Sequence, residues 1–171
     1  MEKKFIKLGV IATGIIAWAV VLPLVMLGAT IFFHPEYSIY TEIDDLYRLV
    51  PGVFVLLAGI WIALWSIYAQ YAIGEGTPVP LLPAVKLVVR GPYRYCRNPM
   101  ALGVILMLLG AAIALWSISA LVIAVVISSL HLLYDKIVEE RELEKRFGEE
   151  YTRYKQETPF ILPDIFKRNR K

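Results

Sequence analysis

One cysteine and two histidines in 171 residues leave little from which to build a disulfide framework or a metal centre. Cys96 has no second cysteine to pair with, so an internal bridge is excluded, and it reads as a bystander rather than a catalytic thiol. His34 and His131 fall in segments expected on opposite sides of a membrane, so no metal site is expected. Charge is scarce as well. Only 19% of residues are Asp, Glu, Lys or Arg, against about a quarter in soluble domains. The net charge of +3 is small and follows from topology, so nucleic-acid binding is not indicated. The apolar runs leave no room for a separate soluble catalytic domain of typical size.

What is present is hydrophobic: 58% of the chain, in long runs. A run over 8–33 follows Lys3, Lys4 and Lys7. It is too long for the apolar segment of a signal peptide and lacks an obvious cleavage site, so it reads as a retained span, with Pro23 placed to kink it. A polar loop with Glu36, Glu42, Asp44 and Asp45 leads to a second span over 49–73. Trp61, Trp65, Tyr68 and Tyr71 punctuate this span and mark a membrane interface. A third span, 99–115, lies at the lower length limit for crossing a bilayer, and Gly103 and Gly110 suit it to close helix packing. Trp116 to Ser119 leaves almost no loop, so the fourth span, 118–138, returns as an antiparallel neighbour. The expected architecture is all-α: a single polytopic membrane domain over 1–171.

Basic residues orient it. They gather before the first span, in the central loop (Lys86, Arg90, Arg94, Arg97) and in the C-terminal tail, while the first loop holds only Arg48 and the third turn none. Four spans with both termini cytoplasmic put every basic-rich segment inside. The tail after Asp135 reads as helical and amphipathic, with Leu143, Phe147, Tyr151 and Tyr154 as one stripe, Gly148 as a break, and a basic end (Lys167 to Lys171) suited to anionic lipid.

Chemistry concentrates on the cytoplasmic side. Arg90 to Pro99 reads RGPYRYCRNP. Asn98 is a preferred helix cap and Pro99 a preferred first helical residue, so the segment is expected to end on a helix N-terminus able to receive an anion. The alternative is that its arginines are membrane anchors. Gly74-Glu75-Gly76 permits close backbone approach to a ligand, or simply ends a helix. Glu139-Glu140 offers carboxylates to a cation or to ribose hydroxyls, or merely begins a solvated helix. His131 sits within a span, where an ionisable side chain is costly unless it is paired or functional, and Tyr134 is expected one turn away on a similar face. Together these pieces suit a zwitterionic, sugar-bearing cofactor such as S-adenosylmethionine.

The order GxG-TPxP, LVxRGPYRYxRNPM at a span start, then EE followed by FGxxYxxY, resembles the integral membrane methyltransferases. That family includes isoprenylcysteine carboxyl methyltransferases and phosphatidylethanolamine N-methyltransferases. The matching residues are Gly74 to Pro78, Leu87 to Met100, Glu139-Glu140, and Phe147-Gly148 with Tyr151 and Tyr154. The resemblance implies S-adenosylmethionine held at the cytoplasmic ends of membrane helices by elements within 74–99 and 131–157. Its cofactor-binding roles fall on Gly74, Gly76, Glu139, Glu140, Arg97 and Asn98, with Glu75, Tyr93 and Pro99 inside the same segments. His131, Tyr134 and Arg97 form the expected catalytic set. Asn98 stands where many relatives have His, so that position is not expected to move a proton. The C-terminal segment from Thr158 to Pro163 lacks the Arg of the family's VPRxxP-like ending.

The expected activity is methyl transfer to a lipophilic acceptor entering from the bilayer: a small lipid amine, or the carboxylate of a prenylated cysteine. The expected location is the inner or plasma membrane of a prokaryote, or the endoplasmic reticulum of a eukaryote. Two other classes fit in part. One is an NADPH-dependent membrane reductase of the sterol-reductase type, with the arginines on phosphate. The other is a non-catalytic scaffold that binds anionic lipid.

Overall fold

The computed structural model describes residues 21–33, 43–75 and 84–163. Among them every regular element is helical: α1 (Leu22–Phe33), α2 (Ile43–Ala72), a 3-10 turn (Gly91–Arg94), α3 (Pro99–Ala114), α4 (Ile118–Tyr134), a π-helical turn (Asp135–Glu139), α5 (Glu140–Phe147) and α6 (Glu149–Glu157). Most of the span expected over 8–33, the acidic loop residues Glu36 and Glu42, His34, Gly76 and the basic end of the tail lie outside the described residues.

Two helices among the described residues are long and apolar enough to cross a membrane: Leu49–Ala72 within α2, and Ile118–Phe147, which runs through α4, the π turn and α5. That is fewer than the four spans expected. α3 has 16 residues, about 24 Å at a helical rise of about 1.5 Å per residue, short of a hydrocarbon core of about 30 Å. α2 also begins earlier than expected and continues through Pro51. The outward faces are apolar. Phe54, Leu57, Trp61, Leu64 and Tyr68 form an exposed stripe on α2, and Ile118, Val122, Val126, Leu130 and Leu133 form another on α4. Exposed apolar area this continuous marks a surface made for lipid or protein, not water.

Glycine sets the closest helix contact. Gly52 and Gly59 on α2 are seven residues apart, as are Gly103 and Gly110 on α3. The helices run antiparallel, so Gly52 meets the end of α3 near Gly110 and Gly59 meets Gly103. A Cβ on Gly59 would lie 2.6 Å from Gly103 O, and one on Gly110 would lie 2.4 Å from Leu56 N. Backbones this close exclude any side chain. The expectation for Gly103 and Gly110 holds; their partners on α2 were not foreseen.

α3 turns into α4 over three residues, Leu115 to Ser117. Trp116 adopts φ +46°, and Ser117 caps α4 by accepting from Ala120 N at 3.2 Å. The turn is tied to α1, because the buried Thr30 Oγ1 lies 2.9 Å from Ser117 Oγ. Met26, Val104, Leu108, Ala111, Ala120 and Ala124 close the core between α1, α3 and α4.

Candidate functional site

The site is assembled where α2 ends, α3 begins and the long helix leaves its apolar stretch. Gly74 closes α2, and its carbonyl accepts from Val85 N (2.8 Å) and Lys86 N (3.2 Å). A Cβ there would fall 2.7 Å from Gln70 O and 2.9 Å from Val88. The missing side chain therefore makes room for the protein's own returning strand of chain. Glu75 follows at φ +57° and ion-pairs with Lys86.

The returning segment enters the 3-10 turn at Gly91, whose φ of +63° suits a residue without Cβ. Tyr93 is buried and joins three elements. Gln70 of α2 donates to its hydroxyl at 2.9 Å, and Tyr154 of α6 donates to its carbonyl at 2.6 Å. Burial pushes both tyrosine hydroxyls above their usual range. Tyr93 is thus a structural joint beside the site. Cys96 is 1% exposed, and burial pushes its thiol up to about 11, as its bystander reading requires.

Asn98 precedes α3 as expected, but its side chain makes no capping hydrogen bond. Its Nδ2 instead donates to Phe160 O at 3.3 Å. The amides of Arg97 and Asn98 donate to Pro159 O (2.8 Å) and Phe160 O (3.1 Å). The amides just before α3 are therefore taken up by the C-terminal strap Thr158–Leu162; the first-turn amides of the helix itself, which an anion would use, begin at Met100 because Pro99 has no N–H. Pro99 occupies the first helical position and is buried.

Arg97 and Glu140 are the centre of the arrangement. Arg97 Nη1 lies 2.9 Å from Glu140 Oε1, with side-chain exposures of 7% and 4%. Lys155 of α6 reaches Glu140 Oε2 and Glu144 Oε1, each at 2.8 Å. Those two bonds hold its ammonium above the usual lysine range. Phe160 lies under two cations, Arg97 at 5.7 Å and Lys136 at 4.8 Å from the ring centre.

The π turn explains which acids face inward. Ala120, Ala124, Ser128 and Asp135 lie on the buried side of the long helix at ordinary helical spacing, and the next buried position is Glu140, five residues on. Glu140 N donates to Asp135 O, the i to i−5 bond of a π turn. One inserted residue thus brings both Asp135 and Glu140 to the inside, while Glu139, next to Glu140 in sequence, is only half-buried. Asp135, 3% exposed, is a site residue that sequence reasoning missed; its signal was the i,i+4 spacing from His131. His131 Nε2 sits 3.6 Å from Asp135 Oδ1, at ion-pair rather than hydrogen-bond distance. Tyr134 does not share that face, being 47% exposed on the outer surface.

These residues fit the expected cofactor in one respect. Arg97 Nε and Nη1 and Glu140 Oε1 are buried without a hydrogen-bond partner. The pair is close but misaligned, leaving donors and an acceptor that an amino-acid zwitterion would satisfy: its carboxylate on Arg97, its ammonium on Glu140. Among the described residues no group of His, Cys, Asp and Glu is suited to a metal ion.

An all-helical, membrane-associated protein with buried, mutually paired charges at the ends of its apolar helices is the class that fold and site define. The chain belongs to the phospholipid methyltransferase family, whose model matches residues 47–150. No curated protein and no solved structure gives a significant match. The matched region contains most of α2 and all of α3 to α5, with Arg97, His131, Asp135 and Glu140, and it favours a lipid methyltransferase over the reductase and scaffold alternatives.

Proposed function

We propose that the protein transfers a methyl group from S-adenosylmethionine to a membrane lipid, at the cytoplasmic ends of its helices. The observation that supports this most is the Arg97–Glu140 pair, buried, 2.9 Å apart and not hydrogen-bonded to each other, inside a chain of the phospholipid methyltransferase family. Arg97 would hold the cofactor's carboxylate and Glu140 its ammonium, with Asn98 and Glu139 beside them in the chain. The cofactor supplies a methyl carbon on a positively charged sulfur, which keeps the bonding electron pair when a nucleophile takes the methyl.

The protein's own work is alignment and exclusion of water. Phe160 and the strap cover Arg97. Lys155 and Lys136 keep the acidic end of the long helix compensated, and Tyr154 locks α6 onto the 3-10 turn. His131, 3.6 Å from Asp135, would receive a proton if the accepting atom is an amine. The topology that goes with this reading has four spans and both termini inside, with the first span largely over 8–33 and the short α3 embedded among longer helices.

Calorimetric titration with S-adenosylhomocysteine tests the assignment. Glu140→Gln is expected to weaken binding about tenfold or more, since hydrogen bonds to charged groups contribute about 1.5–3 kcal/mol. Unchanged affinity in this variant would remove Glu140 from the cofactor site.

A further inference from the structure

Glu140 divides its two oxygens between two partners. Oε1 lies 2.9 Å from Arg97 Nη1 and is left without a hydrogen bond. Oε2 accepts from Lys155 Nζ at 2.8 Å. Lys136 is the other cation near Oε2, but at 4.0 Å it is beyond hydrogen-bond reach, and its ammonium lies over the Phe160 ring. Among the described residues, Lys155 is the cation that fixes the direction of this carboxylate.

Lys155 is itself held in place. Glu144 and Lys155 are eleven residues apart, about 16 Å along a straight helix. The break at Gly148, with φ +54°, folds α6 back, so that Nζ reaches Glu140 Oε2 and Glu144 Oε1 together, each at 2.8 Å. Tyr154, the preceding residue, anchors α6 to the 3-10 turn through Tyr93 O at 2.6 Å.

Without that ammonium, a buried carboxylate and guanidinium already this close would turn to face each other. Two parallel N–H···O bonds are the preferred geometry of such a pair. They would take up both oxygens of Glu140 and the open donors of Arg97, and leave nothing for an amino-acid zwitterion. Coulomb attraction alone points the opposite way, since removing a cation beside Glu140 favours a ligand's ammonium. Water screens that term at Lys155, whose side chain is 34% exposed, whereas the direction of the 4% exposed Glu140 carboxylate is set by its bonds. Orientation is therefore the larger effect.

We propose that Lys155 is a positioning residue, which holds Glu140 Oε2 so that Oε1 and Arg97 stay open to the amino-acid end of the ligand. This role rests on the assignment of S-adenosylmethionine to the Arg97–Glu140 site.

The test uses the full chain purified in dodecyl maltoside, as wild type, Lys155→Met, Lys155→Arg, Glu140→Gln and the double variant Glu140→Gln with Lys155→Met. Each is titrated calorimetrically with S-adenosylhomocysteine and with methylthioadenosine, which lacks the amino-acid end. Lys155→Met should weaken S-adenosylhomocysteine about tenfold or more, the scale of a charged hydrogen bond, and Lys155→Arg should restore most of that loss. In the Glu140→Gln background Lys155→Met should cost little more, because the residue it positions is gone. Methylthioadenosine should bind wild type and Lys155→Met alike. Unchanged or tighter S-adenosylhomocysteine binding by Lys155→Met would overturn the proposal, the tighter result showing that Lys155 competes with the ligand's ammonium. So would equal weakening of both ligands, or a loss that simply adds to that of Glu140→Gln, since either is the mark of a structural role alone. A wild type that binds no S-adenosylhomocysteine would contradict the proposed function itself, and this role with it.

Discussion

Arg97 on the segment before α3 and Glu140 at the start of α5 face each other at 2.9 Å with almost no exposure. Removing one partner leaves the other charged and buried, which typically costs about 3–5 kcal/mol. Arg97→Gln and Glu140→Gln should each lower the thermal midpoint clearly, and the double variant should lose less than the sum of the two. Thermal unfolding in detergent, read as a double-mutant cycle, measures this. Additive losses would show that the pair is not coupled.

The glycine contact predicts an asymmetry between chemically identical changes. Gly59→Ala pushes a methyl to 2.6 Å from Gly103 O, whereas Gly28→Ala meets nothing within 4 Å. The first should destabilise by about 1–3 kcal/mol, as overpacking does. The second should be neutral or slightly stabilising, since alanine is the better helix former. Thermal midpoints of the two variants check this directly.

Tyr154→Phe removes the hydroxyl that donates to Tyr93 O at 2.6 Å and leaves a buried carbonyl without that donor. A loss of about 1–3 kcal/mol is expected, concentrated at the α6 contact with the 3-10 turn. Hydrogen exchange should show faster exchange over Glu149–Glu157 with little change in α2 and α3.

Cys96 should be inert. Only the thiolate reacts with maleimides, and burial raises this thiol to about 11, so the thiolate is scarce until the pH approaches that value. At pH 8 the folded protein should label slowly and the denatured protein fast. Rapid labelling of the folded protein would contradict the packing around the 3-10 turn.

Much of this was legible in the sequence because it rests on local pattern. The apolar runs predicted helices at α2, α3 and α4, and Gly148 broke the tail at φ +54° where α5 gives way to α6. Arg97 and Glu140 were both singled out, though as two sides of an open site, not as a buried pair. What local pattern did not show is distance. Gly52 and Gly59 matter only because Gly110 and Gly103 arrive opposite them, and nothing in α2 announces that. The amides of Arg97 and Asn98 pair with the carbonyls of Pro159 and Phe160, some sixty residues away and part of the backbone, which carries no sequence signal. Asp135 was missed although it follows His131 by four residues at regular helical spacing, and Tyr134, three residues after His131, turns outward; the π turn changes the register only beyond Asp135. The inserted residue shifts the inward face by one position, so Glu140 rather than Glu139 meets Arg97.

The most direct measurement of the account is methyl transfer itself. Purified protein is incubated with methyl-labelled S-adenosylmethionine and a total lipid extract, and the organic phase is resolved by chromatography. The account predicts label in a phospholipid, reduced about tenfold or more by Glu140→Gln. Label in no lipid and no other lipophilic molecule, from protein that still binds S-adenosylhomocysteine, would contradict it.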